Sequence, residues 1–214
     1  MTECLQFLAA ALAGLGGASA AKPIRVWIVG DSTSIDYTPA VRRIRAGRAV
    51  IHHDPGNAMY TGSGLAGLDA WLGTTRWDVS LFNFGPPDLK FVGPDAKSAA
   101  WREDGARQTE PDIDACRIAN IGRRLRATGV RPSRHPADDP RYHAAALRPL
   151  SIEADELHAL ALPQLDRWHG PVNVHFTTVG SEELGRAVAE AIRRGLGRDR
   201  SAFQAPFPEA GAAQ

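Results

Sequence analysis

Apolar and polar positions along this chain fall into short hydrophobic runs separated by longer stretches of helical period. Ile24-Arg25-Val26-Trp27-Ile28-Val29 is β-branched and aromatic and stops abruptly at Gly30-Asp31-Ser32, which predicts a buried strand. Ala49-Val50-Ile51-His52 predicts a second, weaker strand. Residues 64–72 predict a short helix, with Leu65, Leu68, Trp71 and Leu72 on one face and Gly73 at its end. A third strand is expected over 77–84, halted at Gly85-Pro86-Pro87-Asp88 because proline cannot continue a central strand. Residues 90–111 are polar and read as a long loop. Glu110-Pro111-Asp112 then opens a helix whose face is Ile118, Ile121 and Leu125, ended by Gly129. No strand is read in 130–141, which holds three prolines; 142–147 reads as helix and 151–162 as mixed. Residues 181–194 predict a final helix with Leu184, Val188, Ala191 and Ile192 buried, acids in its first turn and Arg193 and Arg194 in its last. Alternating strands and helices argue for an α/β fold, a parallel sheet with helices on both faces.

At 214 residues and 43% hydrophobic content the chain suffices for one full-sized core, so one domain is expected over 22–200. The formal charge of +1 and the scattered arginines speak against nucleic acid as a partner. Cys4 and Cys116 are the two cysteines, which excludes a disulfide framework, and neither has metal-ligand spacing. Cys116 is expected to be a small core residue on its helix.

The first residues differ from the rest. An alanine-rich apolar run over 5–15 leads through Gly16-Gly17 to Ala18-Ser19-Ala20, a small-x-small site, so 1–21 reads as a signal peptide and the protein as secreted or periplasmic. Against this, Glu3 is present and Lys and Arg are absent ahead of the run; without cleavage the location would be cytoplasmic. The run falls short of the ~20 residues that span a bilayer, so no stable membrane anchor is expected. Residues 201–214, rich in Ala, Pro and Gly, are expected to be disordered.

Ser32 follows the first strand, at the sheet edge where open α/β folds bind their ligands. It could equally cap the helix that follows, as Ser, Thr and Asp all do. Phosphate binding at that turn is a weaker reading, since the lysine of a P-loop is missing. His52-His53-Asp54 suggests a metal at first sight, but adjacent strand residues face opposite sides. No metal and no cofactor are expected. Trp27, Trp71 and Trp77 sit at core-like positions, whereas Trp101 and Trp168 have polar neighbours and are the candidates for substrate contact.

Four segments occur in a telling order: Gly30-Asp31-Ser32; Asn57 to Thr61 ahead of Gly64-Leu65; Phe82-Asn83-Phe84-Gly85 ahead of Asp88; and Val174-His175-Phe176-Thr177 before Gly180. Together they resemble the SGNH hydrolases, the GDSL esterase family. The resemblance implies a flavodoxin-like, three-layer α/β/α domain that hydrolyses short acyl esters of carbohydrates or lipids without a cofactor. It further implies Ser32 as nucleophile and His175 as its base, with Asp31 in support. The backbone N–H of Ser32 and those of Ala58 and Met59 are then expected to hold the oxyanion.

Three departures from the family pattern stand out. Pro87 occupies the place of an oxyanion-donating asparagine and has neither a side-chain donor nor an N–H. Val172 stands three residues before His175, where the family carries aspartate; Asn173 could orient the imidazole without supplying charge, and Asp88 is a possible substitute. A Ser-His dyad is what remains. Finally, the polar stretch after Gly129 suggests a sheet one strand short, unless the region 151–156 closes it. The rival reading is a catalytically impaired relative that binds a carbohydrate or acyl ligand without turning it over.

Overall fold

The computed structural model describes residues 22–53, 56–95, 100–134, 145–154, 157–170 and 175–196. The expected leader and tail, Asp54, Val172 and Asn173 lie outside these. In chain order the elements are β1 (Ile24–Gly30), α1 (Ser32–Ile44), β2 (Ala49–His53), α2 (Thr61–Leu72), β3 (Val79–Asn83), α3 (Pro86–Leu89), β4 (Phe91–Val92), β5 (Ala106–Arg107), α4 (Pro111–Ala127), β6 (Arg131–Arg134), β7 (Glu153–Ala154), α5 (Leu157–Ala161), α6 (Leu165–Trp168) and α7 (Thr178–Leu196).

Five strands form a parallel sheet in the order β2-β1-β3-β6-β7. Numbered within that sheet alone, the order is 2-1-3-4-5, the doubly wound arrangement of flavodoxin-like folds. Side chains of β1 alternate between its faces. Val26 and Ile28 join Leu81, Tyr37, Val41, Leu184, Val188 and Ile192, so α1 and α7 cover one side. Trp27 and Val29 join Phe82, Phe84, Leu68, Leu72, Ile118, Ile121 and Leu125, so α2 and α4 cover the other. The result is the three-layer α/β/α sandwich expected from the alternation of elements.

Helices α1 and α7 pack directly against each other. A Cβ built on Gly185 would stand 2.5 Å from Ala40 Cβ and 3.0 Å from the Tyr37 carbonyl oxygen, so glycine is what lets the two helices approach.

Two expectations are corrected here. The strand thought missing is present: β6 pairs with β3 through Val79–Arg131 to Phe82–Arg134, and β7 in turn pairs with β6. Its sequence, Arg131-Pro132-Ser133-Arg134, hid it because the two positions it buries are a proline and an arginine. Proline is tolerated in this inner strand because β7 pairs only with Ser133 and Arg134, leaving one flank of Pro132 without a ladder. Arg134 is wholly buried and donates from Nη2 to the Phe84 carbonyl oxygen at 3.1 Å. Cys116, expected in the core, is instead exposed on α4.

Candidate active site at the end of the first strand

The sheet order reverses between β1 and β3. One crossover from β1 leads outward to β2 while β3 lies on the other side, so a crevice opens at their carboxyl ends. Both strands end in polar residues that lock onto each other. Asp31 N–H donates to the Asn83 carbonyl oxygen at 3.2 Å, and Asn83 Nδ2 donates to Asp31 Oδ1 at 2.7 Å. Gly30 permits this approach, since a Cβ there would lie 2.3 Å from the Asn83 oxygen.

Asp31 also settles which residue caps α1. It is the N-cap, and its Oδ1 accepts from Thr33 N–H at 3.0 Å. Ser32 is then the first helical residue, half-buried, and its hydroxyl makes no hydrogen bond among the described residues. The capping role that competed for Ser32 in the sequence is performed by its neighbour.

A serine–histidine hydrogen bond does occur nearby, but at a different serine. Ser34 Oγ lies 2.9 Å from His53 Nε2 and donates to the Asp31 carbonyl oxygen at 2.7 Å. Ser34 is fully buried, so this contact ties β2 to the start of α1 and offers no hydroxyl to a substrate. His52, on the opposite side of the strand, packs edge-on against Trp77 with ring centroids 4.8 Å apart. The two adjacent histidines thus point apart.

His175 stands three residues before the start of α7, with 47% of its side chain exposed. Its backbone is held by Gly170 N–H, which donates to its carbonyl oxygen at 3.3 Å, and by an antiparallel bridge between His169 and Phe176. Its Nδ1 lies 3.6 Å from Asp36 Oδ2. Asp36 is four residues beyond Ser32 on α1, one turn along the same helix face, so the imidazole reaches the helix that carries the serine.

The loop into α2 departs from expectation. Ala58 N–H donates to the Gly30 carbonyl oxygen at 2.9 Å, and Met59 N–H to Asn57 Oδ1 at 2.8 Å. Both amides expected to serve an oxyanion are therefore spent within the loop. Met59 has φ of 60°, a left-handed conformation that glycine would adopt without strain. The amides of Gly62 and Ser63, in the first turn of α2, find no acceptor among the described residues, and neither does that of Tyr60 just before them.

Asp88 performs another task. It is fully buried and accepts from Thr61 N–H at 2.9 and 3.1 Å and from Thr61 Oγ1 at 2.7 Å. It thereby fixes the N-terminus of α2 to the turn after β3. Burial pushes its pKa above the usual carboxylate range, and the nearby Asp114 charge pushes the same way, against the lowering by the Thr61 hydrogen bonds. Substitution for the missing family aspartate is not the role these contacts describe. Trp168 is also reassigned: it is buried with the α1–α7 core, whereas Trp101 is 79% exposed.

No protein-family model matches this chain, and no curated protein does. Solved structures do. A lipase/acylhydrolase from Enterococcus faecalis superposes with a TM-score of 0.64 at 14% identity, covering 80% of this chain and 96% of its own. An acetyl xylan esterase gives 0.63 at 13% identity, covering 79% and 100%. A GDSL-like lipase from Bacteroides thetaiotaomicron gives 0.59 at 12% identity, covering 80% and 88%. At such identities the shared property is architecture, and the chain has the fold of the GDSL-type lipases and acylhydrolases.

Proposed function

We propose that this protein is a serine ester hydrolase of the SGNH type, acting on short acyl esters of a carbohydrate or lipid with Ser32 as nucleophile and His175 as general base. The observation that carries this reading is the division of labour at the end of β1. Asp31 takes the cap, Ser32 keeps an uncommitted hydroxyl at the switch point of the sheet, and His175 overhangs the same helix.

A hydroxyl becomes a competent nucleophile when a neighbouring neutral imidazole takes its proton. The Ser32 oxygen then attacks the ester carbonyl, and the tetrahedral oxyanion needs donors. Ser32 N–H is the first of these. The amides of Gly62 and Ser63 replace those of Ala58 and Met59 as the second, and the N-terminal end of α2 favours negative charge there. Collapse of the intermediate expels the alcohol, which takes the proton from His175. Water then repeats the sequence on the acyl-enzyme and restores Ser32. The chemistry calls for no cofactor.

One observation favours the rival reading, a relative that binds such a ligand without turnover. Pro87 lies in the first turn of α3 and brings no donor to the place where the family carries asparagine. The loss of one oxyanion donor lowers turnover on the order of a hundred- to a thousand-fold. Labelling with a fluorophosphonate probe, together with turnover of p-nitrophenyl acetate, separates the two readings. Labelling of wild type and its loss in Ser32→Ala is expected. Folded wild type that neither labels nor turns over would sink the enzyme reading.

A further inference from the structure

The family aspartate is replaced by Val172, yet a carboxylate does stand beside the imidazole. We infer that Asp36, on the nucleophile's own helix, is the charged positioning residue for His175, so that the acid of the triad has moved from the segment before the histidine to the turn after the serine. This inference rests on the esterase reading and deepens it.

The geometry carries it. Asp36 Oδ2 approaches Nδ1 of His175 at 3.6 Å, close enough to tighten into a hydrogen bond when substrate closes over the site. With Nδ1 turned toward a carboxylate, Nε2 on the opposite edge of the ring is the nitrogen that takes the serine proton. This is the division of roles in Ser-His-Asp catalysis, whatever the order of the residues in sequence. Because Asp36 and Ser32 are one helical turn apart on one face, a single rigid element holds both ends of the relay. The backbone that presents His175 is tied down independently: Thr177 N–H donates to the Trp168 carbonyl oxygen at 2.6 Å, and Phe176 stacks edge-on against His169 at 4.4 Å.

The groove between α1 and α7 is lined by Asp36, Pro39, Ala40, Phe176, Ser181 and Glu182. Glu182 is the other carboxylate on it, and it is paired with Arg43 of α1. Asp36 is thus the carboxylate of this groove turned to the imidazole.

The pair is partly exposed, with 38% of the Asp36 side chain accessible, so solvent screens it and its effect is smaller than that of a buried triad acid. Loss of a buried triad aspartate lowers kcat by about ten-thousand-fold. For Asp36→Asn a fall of about ten- to a hundred-fold is expected, with KM within about twofold and thermal stability unchanged. Asp36→Glu, which restores the carboxylate, is expected to recover most of that loss.

The experiment measures kcat and KM on p-nitrophenyl acetate for wild type, Ser32→Ala, His175→Ala, Asp36→Asn and Asp36→Glu, with a melting curve for each. If Ser32→Ala and His175→Ala abolish turnover while Asp36→Asn matches wild type in kcat, the role of Asp36 is refuted and the esterase reading stands. A drop in kcat that Asp36→Glu does not recover, or that comes with a lowered melting temperature, also refutes it, since the effect is then not that of a lost carboxylate. Wild type without turnover overturns both inferences together.

Discussion

Replacing Asp88 with alanine isolates the contact that pins α2 to the turn after β3. Thr61 is wholly buried and offers two donors to this one carboxylate, its N–H and its hydroxyl. Alanine leaves both without an acceptor, at roughly 1–3 kcal/mol for each. Part of this is returned, because the variant no longer buries a carboxylate beside Asp114. The net expectation is a loss of about 2–4 kcal/mol in urea unfolding at neutral pH. Asp88→Asn keeps one acceptor oxygen and should fall between alanine and wild type.

The pH dependence has a definite sign. Burial raises the folded-state pKa of Asp88, so its protonated form is favoured in the native protein. The associated stabilisation is complete below the unfolded carboxylate pKa near ~3.9 and is lost as pH rises through the raised folded value. Asp88→Asn lacks this titration. Its deficit relative to wild type should therefore shrink as pH rises from about 4 toward neutrality. An Asp88→Ala variant within about 0.5 kcal/mol of wild type, or an Asp88→Asn deficit that widens with pH, would refute the reasoning.

Two further substitutions test the packing. Gly185→Ala forces a methyl group against Ala40 and the Tyr37 backbone; the overpacking cost of roughly 1–3 kcal/mol should outweigh the ~1 kcal/mol gained in helix propensity, and a raised melting temperature would contradict it. Ser80, fully buried on β3, has a hydroxyl without a hydrogen-bond partner among the described residues, so Ser80→Ala should be neutral to about 1 kcal/mol more stable in chemical denaturation, and clear destabilisation would show that the hydroxyl has a use.

Local signals in the sequence determined much of this protein. The β-branched run before Gly30, the prolines after Gly85 and the helical periods of α2, α4 and α7 each announce themselves over a few residues, because burial on a sheet or one helix face repeats with a fixed period. The same residues placed Ser32 at the carboxyl end of the first strand.

Tertiary structure decided what depends on partners distant along the chain. β6 carries no apolar alternation, and it is a strand because β3 offers it a ladder and the Phe84 carbonyl receives its arginine. Whether Asp31 or Ser32 caps α1 was undecidable from adjacent residues of similar capping strength, and the structure gives Asp31 that task while Asn83, 52 residues away, binds the same carboxylate. The spent amides of Ala58 and Met59 were likewise hidden, since their acceptors are set by loop conformation. Asp36 meets His175 across more than a hundred residues, and no spacing rule reads a contact between a helix and a distant turn folded onto one side of a sheet.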